Sequence, residues 1–412
     1  MTGRISAPIH VRIARRALIA ALSLLVRSAL RRNRPIVVAV TGSVGKTTTK
    51  ELTAAVLSTR YRVRATWRNA NDEVGARVTV LAARRGRTAS ARARALLDGL
   101  LLVALRRPFP ELLVVELAAG RPGELERLTR DIRPDVAVVT NVRPVHLEHY
   151  PDAGLEGIVH EKSWVVRRPK PGGVAVLNTD DERSHGLASL TSGRVLLYGS
   201  APKADVRLAR ADLAAGDASA VVQIRGEAQP LHVQTRMLGE QQLSSVLAAL
   251  AVGLALHVPP EEAAAAIAEC EPLPGHLRVA SGRKGLVVLD DSSNASPQAV
   301  IDSLDVLARF PSPRWAVLGD MAELGAETEA GHRSVGAAVP GRADVLVCVG
   351  HRAEMIADSA VEHGMPSERV VRVATASDAA RAVAASPDAA TVLVKGSAVV
   401  GLATVVEALA PR

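Results

Sequence analysis

The chain has 412 residues, 48% of them apolar, more than one small domain needs and enough to fill the cores of two or three. Only two Phe, three Trp and three Tyr are present, which excludes a stacking platform for single-stranded nucleic acid. The charge is uneven. The first 110 residues hold 22 Lys or Arg against four acids (Glu51, Asp72, Glu73, Asp98), and the remaining 302 carry −9 of the total +9. Such a basic quarter suits an anionic membrane face or phosphorylated small molecules, while its lack of interleaved aromatics speaks against nucleic acid.

Residues 1–34 contain eight arginines and no acid. Val11, Ala14, Leu18, Leu22, Leu25 and Ala29 recur at helical spacing, with Arg12, Arg16, Ser23, Arg27 and Arg31 on an opposite stripe, so this segment is expected to form one basic amphipathic helix. Its longest uncharged run, Ala17–Val26, is far short of the roughly 20 residues that span a bilayer. Two placements remain open: against the protein's own sheet or a second subunit, or on an anionic inner membrane surface. Cys270 and Cys348 lie far apart in apolar surroundings, as expected of inert thiols in a reduced, cytoplasmic protein.

The run Ile36–Val40 reads as a buried strand. Thr41, Gly42, Ser43, Val44, Gly45, Lys46, Thr47 and Thr48 read as the turn onto a helix starting near Thr48. Glycines there let backbone N–H groups converge on phosphate oxygens, Lys46 brings a point charge, and the Thr47 hydroxyl suits Mg²⁺. Strands are expected at Leu112–Glu116, Val136–Thr140, Val174–Asn178 and Val195–Tyr198, alternating with helices. That alternation predicts an α/β fold with a central doubly wound parallel sheet whose ligands gather at the strands' carboxyl ends. Residues 200–236 read as a β excursion, followed by a helix over Gln241–Leu256. A boundary is expected near Pro272, giving a central nucleotide-binding domain over 35–271. A smaller Rossmann-like α/β domain over 272–412 would then be built on Leu286–Asp290, Arg314–Gly319, Val345–Gly350 and Thr391–Lys395.

Eight segments follow in the order and spacing of the Mur ligases. They are Thr41–Lys50; Asn69–Gly75; Glu116–Glu124; Thr140-Asn141-Val142 with His146-Leu147-Glu148; Glu161-Lys162-Ser163; Asp290–Pro297; Leu318–Gly325 with His332; and Val394–Ser397. The chain resembles that family from residue 36 to about 410, nearest the members that add D-alanyl-D-alanine. The resemblance implies an ATP-dependent carbon–nitrogen ligase. In such a ligase a carboxylate is phosphorylated by ATP and an incoming amino acid or peptide amine then displaces phosphate. It further implies metal positions at Thr47, Glu116 and His146 for Mg²⁺, with Lys162 as a carbamate holding a second ion. Catalytic roles are implied for Lys46, Lys162 and His146, nucleotide contacts for Asp291 and Arg278, and substrate contacts for Asn71, Asn141, Asn294, Lys395 and Ser397.

Departures from the family pattern also count. Gln241, Gln242 and Ser245 stand where the family carries a His-Asn pair and a further Asn. His276 replaces an Arg, with Arg278 as the possible substitute, and Ser293, Ser296 and Ala398 replace Tyr, Asn and Arg. The amine substrate is therefore expected to differ from D-alanyl-D-alanine. With only 35 residues before Ile36, the carboxylate is expected to be a free acid, a short peptide or a lipid-linked acid. A UDP-muramoyl peptide is the alternative, and a non-catalytic ATP-binding scaffold is a further one.

Overall fold

The computed structural model describes residues 9–67, 70–81, 89–105, 108–118, 120–145, 147–150, 152–384 and 388–410. Their strands form two sheets. The first contains β1 (Ile36–Thr41), β2 (Val63–Ala65), β3 (Leu112–Glu116), β4 (Val136–Val139), β5 (Val174–Asn178), β6 (Arg194–Gly199), β7 (Val206–Leu213), β8 (Ala218–Ile224) and β9 (Leu231–Thr235). Their spatial order is β2-β3-β1-β4-β5-β6-β7-β8-β9, and β1 lies parallel between β3 and β4. Strands buried on both faces need no polar alternation, which is why β3, β4 and β5 read as continuous apolar runs. The β excursion is part of this sheet: β7 runs parallel to β6, and β8 and β9 follow antiparallel. Four consecutive residues of β7 are exposed, so its VRLARADL lacks the alternation that marks a half-buried strand.

Helices α1 (Ile9–Asn33), α2 (Lys46–Ser58), α3 (Glu73–Val80), α4 (Ala89–Ala104), α5 (Glu124–Asp131), α6 (Gly154–Arg167) and α7 (Glu182–Gly186) flank this sheet, with α8 (Gly239–Ala255) and α9 (Pro260–Ala268) leading onward. α2 begins at Lys46, two residues before its expected start, because Gly45 closes the loop in the left-handed region with φ +81°. α1 packs on α3 and α4 of its own chain. Leu22, Val26 and Ala29 are buried there, whereas Val11, expected on the same stripe, is 43% exposed. Ser23, expected on the polar stripe, is buried as well. Its hydroxyl donates to the Ile19 carbonyl and accepts from Arg77 Nε at 3.0 Å, and Arg77 in turn joins Arg27 on the buried Asp131 carboxylate. A polar residue can sit inside because the network leaves nothing unpaired.

The second sheet has the order β10-β11-β15-β12-β13-β14. Its strands are β10 (Arg278–Ser281), β11 (Val287–Asp291), β12 (Arg314–Gly319), β13 (Val345–Val349), β14 (Val370–Val373) and β15 (Thr391–Lys395), with α10 (Pro297–Leu307) and α11 (Thr328–Ala338) among its helices. Only the β10–β11 pairing is antiparallel. The apolar interior is continuous between the lobes: one cluster runs from Val38 and Val40 of β1 through Leu243 and Leu247 of α8 and Leu304 and Leu307 of α10 to Leu289 and Leu393.

Candidate active site

The site begins where β1 ends. Gly42 has φ +147°, and a Cβ there would lie 1.9 Å from Thr140 Oγ1, so no larger residue fits the turn. The loop is clamped from β4: the Ser43 N–H donates to the Asn141 carbonyl at 2.9 Å, the Val44 N–H donates to Asn141 Oδ1 at 2.9 Å, and Thr140 Oγ1 donates to the Val44 carbonyl at 2.6 Å. The Asn141 amide also donates back to the Val44 carbonyl, so this expected substrate contact is occupied in shaping the loop. Thr41 Oγ1 donates to the Leu117 carbonyl and points into the sheet.

Lys46 and Thr47 open α2. Lys46 Nζ donates to the Ser43 carbonyl at 2.9 Å, folding back over the loop. Desolvation pulls this ammonium below its usual 10.5, against the pull of the nearby Glu116 carboxylate. Glu116 ends β3 fully buried; its Oε1 accepts from Thr47 Oγ1 at 3.2 Å and from Asn71 Nδ2 at 2.7 Å, while its Oε2 has no hydrogen-bond partner. An orphaned carboxylate oxygen beside a loop threonine fits Mg²⁺, which takes oxygen ligands and needs one or two protein groups beside substrate phosphates. Among the described residues no cluster of three His, Cys, Asp or Glu side chains is placed to hold a metal, so Glu116 and Thr47 are the pair the geometry offers. His146 lies outside the described residues.

Lys162, on α6, is 1% exposed, and its Nζ donates to the Gly42 carbonyl at 2.8 Å. Burial, and then repulsion from Lys46, holds its pKa well below 10.5, with Glu161 acting the other way. The Glu161 carboxylate itself caps α5, where its two oxygens accept from the Gly123 and Leu125 N–H groups at the start of that helix.

The second lobe faces the loop. One cleft is lined by Ser43 to Thr48 on one side and by Asp291, Asn294 and Lys395 on the other, with Gln241, Gln242, Ser245 and His276 along its wall. Lys395 Nζ donates to Asp291 Oδ2 at 2.6 Å and to the Asn294 carbonyl at 3.0 Å. Two expected contacts lie elsewhere. Ser397 Oγ accepts from the Ala322 N–H, tying together the loops after β15 and β12. Arg278 sits on the edge strand β10, 43% exposed and paired with Glu271 at 3.3 Å, and does not line the cleft.

Gln242, which the sequence marks only as a departure from the family pattern, lines the cleft. It is 8% exposed; its Nε2 donates to the His276 carbonyl at 2.6 Å, and its Oε1 is buried without a partner. A carbonyl partner can only accept, so the amide is oriented unambiguously and its oxygen is left without a donor within the protein. Its appearance in place of a family Asn was the available signal.

A glycine-rich loop carrying Lys46 and Thr47 faces a second α/β lobe across a cleft, the arrangement of a two-lobed α/β protein whose site gathers at the carboxyl ends of its strands. The sequence profile of the Mur ligase middle domain matches residues 40–253, and that of the Mur ligase glutamate ligase domain matches residues 277–398. The chain belongs to the Mur ligase family. It is 30% identical over 332 residues to the UDP-N-acetylmuramoyl-tripeptide–D-alanyl-D-alanine ligase of Bacillus subtilis, an alignment covering 79% of this chain and 65% of the relative. The chain thus spans just under two thirds of that relative's length. Among solved structures, the MurF ligase of Thermotoga maritima in complex with ADP superposes with a TM-score of 0.78 at 27% identity, covering 95% of this chain and 83% of that one. A MurF crystal structure from Acinetobacter baumannii shares the fold, with a TM-score of 0.79 at 24% identity and coverage of 94% and 79%.

Proposed function

We propose that the chain is an ATP-dependent amide ligase joining a small-molecule carboxylate to the amine of an amino acid or peptide. The observation that carries this reading is the partnerless Glu116 Oε2 beside Thr47, at the mouth of the loop that presents Lys46. In the first step a substrate carboxylate oxygen attacks the γ-phosphorus of ATP and ADP leaves. In the second the amine nitrogen attacks the acyl carbon, phosphate departs with its electron pair, and the nitrogen gives up a proton. The loop N–H groups and Lys46 neutralise charge on the transferring phosphoryl group. Magnesium, held by Thr47 and Glu116, would supply further charge neutralisation there. Asn71 keeps Glu116 aimed, and the opposed lobes exclude water from the labile acyl-phosphate.

Two finer assignments belong to the same proposal. Lys162 is the carbamylation site: a neutral amine is what attacks CO₂, giving a carbamate and a proton, and burial favours the neutral form. The nucleotide is ATP, as the family membership supports, and the Gln242 oxygen, which lacks a donor within the protein, would accept from the 6-amino group of adenine.

The test is Lys46→Ala, with phosphate release measured in the presence and absence of an amine pool. Loss of at least ~100-fold in turnover is expected, the scale for removing one preorganised charge-stabilising group. Wild-type turnover in the variant would refute the reading. The names of the relatives favour one specific pair, a UDP-N-acetylmuramoyl tripeptide and D-alanyl-D-alanine. Calorimetry with that UDP-linked peptide and a non-hydrolysable ATP analogue decides it, micromolar binding being the positive result.

A further inference from the structure

α1 and α4 lie against each other: Leu25 closes on the α carbon side of Gly99, where a Cβ would meet it at 3.1 Å, and Arg32 donates to the Val103 carbonyl. Their inner faces are core, with Leu22, Val26, Ala29, Ala95 and Leu102 buried. Their outer faces are also apolar. Along α1 the exposed positions Ile13, Ala17, Ala20 and Leu24 recur at steps of four, three and four, and along α4 so do Ala93, Leu97, Leu100 and Ala104. Ile13 is 61% exposed, Leu24 69%, Leu97 54% and Leu100 54%. A helix whose solvent side repeats the spacing of a core face is waiting for a second apolar surface.

Charge says which surface. α1 has no acid along its whole length, and α4 has only Asp98, which is half-buried. Around the two stripes stand exposed Arg16, Arg31, Arg34 and Arg94. A second copy of the chain docked on this face would bring arginine against arginine, whereas an anionic lipid surface takes both the leucines and the cations. No helix among the described residues is long and apolar enough to cross a membrane, so the contact is with the surface.

We infer that the outer face of α1 and α4 docks on an anionic phospholipid bilayer, lying in its interface with Leu24, Leu97 and Leu100 inserted and the arginines at the headgroups. This inference is independent of the catalytic reading. It would hold the ligase beside substrates that are themselves membrane-borne or enriched near anionic lipid.

The experiment is flotation of the full chain with vesicles of phosphatidylcholine alone and with equal parts phosphatidylglycerol, at 50 mM and 500 mM salt. Binding to the anionic vesicles, weakened at high salt and absent on neutral ones, is expected. The double variant L97E/L100E should bind at least ~10-fold more weakly. Arg31→Ser with Arg94→Ser should retain the fold and lose most of the salt-dependent part. Circular dichroism, and turnover with soluble substrates, should be unchanged in all of them, because none of these residues lines the cleft. Failure of the wild type to float, equal binding to neutral vesicles, or full binding by L97E/L100E would overturn the inference. So would a wild-type dimer in sedimentation that L97E/L100E dissolves, since the face would then serve self-association.

Discussion

Asp291 and Lys395 are register partners on the adjacent parallel strands β11 and β15, and their side chains meet at 2.6 Å where the cleft opens. Lys395 is 4% exposed, and Asp291 is further held by the Ser303 hydroxyl at 2.7 Å. The pair is therefore a buried ion pair with most of its hydrogen bonds made. Such a pair is worth little compared with two apolar residues but costs heavily when one half is removed. Asp291→Ala should lower the unfolding free energy by about 3–5 kcal/mol in urea titrations. The double variant Asp291→Leu with Lys395→Met should recover most of that loss without recovering turnover. Recovery of both would show that the pair serves the fold alone.

Lys162 is expected to reduce stability for the sake of its chemistry. Its folded pKa lies well below 10.5, so between the two values the unfolded chain binds more protons than the folded one. Stability therefore rises with pH in that window, and the burden on the fold is fully present below the folded pKa. Lys162→Met should raise Tm in the nucleotide-free protein near pH 7 when bicarbonate is excluded. The gain should shrink as pH approaches 10, while turnover is lost. A lower Tm in the variant would mean that the Lys162 bond to Gly42 outweighs the desolvation.

His332 provides an acid limit. It is fully buried, its Nε2 accepts from the Met321 N–H at 3.0 Å and its Nδ1 lies 2.6 Å from the Thr328 carbonyl. This pairing is satisfied by the neutral ring, and burial lowers the pKa below 6.5. The folded state is then favoured fully above pH 6.5 and loses ground as pH falls below it. Thermal melts from pH 7.5 to 5 should show a decline that His332→Gln flattens, starting from a lower Tm at pH 7.5. An unchanged slope in the variant would assign the decline to other groups.

Gln242 should set the choice of base. On the proposed reading a 6-amino purine would donate to its oriented acceptor, whereas a 6-oxo purine would set oxygen against oxygen. A buried unmatched polar contact of this kind costs about 1–3 kcal/mol, so ATP should be preferred over ITP by roughly 10- to 100-fold in kcat/KM. Gln242→Leu should reduce that ratio to near one. Equal use of ATP and ITP by the wild type would leave Gln242 with no role in reading the base, without touching the ligase assignment.

Legibility in the sequence followed burial. Val174–Asn178, Arg314–Gly319 and Thr391–Lys395 match β5, β12 and β15 residue for residue, because unbroken apolar runs flanked by Gly, Asp or Pro admit few other readings. α4 escapes such a reading, since its apolar residues line both sides and show no single stripe. At the site, the glycines and Lys46 of the loop announce themselves by spacing and Glu116 by its place at the carboxyl end of a strand, whereas Lys162 is legible only through the resemblance to the Mur ligases. The part played by Asn141, Ser397 or Gln242 depends on which backbone group lies opposite, and that is set by residues far along the chain or in another lobe.

The unbroken apolar cluster that passes from β1 through α8 and α10 into the second sheet limits how the lobes move. Lobes joined only by a flexible tether gape like a book, wetting whatever lies between them. Here gaping would expose Leu243, Leu304 and Leu307, so the inexpensive motion is a slide of α10 across α8, with side chains exchanging neighbours but staying dry. Gly239 lies at that sliding surface, where a Cβ would approach Val306 to 2.9 Å. A slide of this kind would keep the floor of the cleft dry while changing the distance between Lys46 and Lys395 across it.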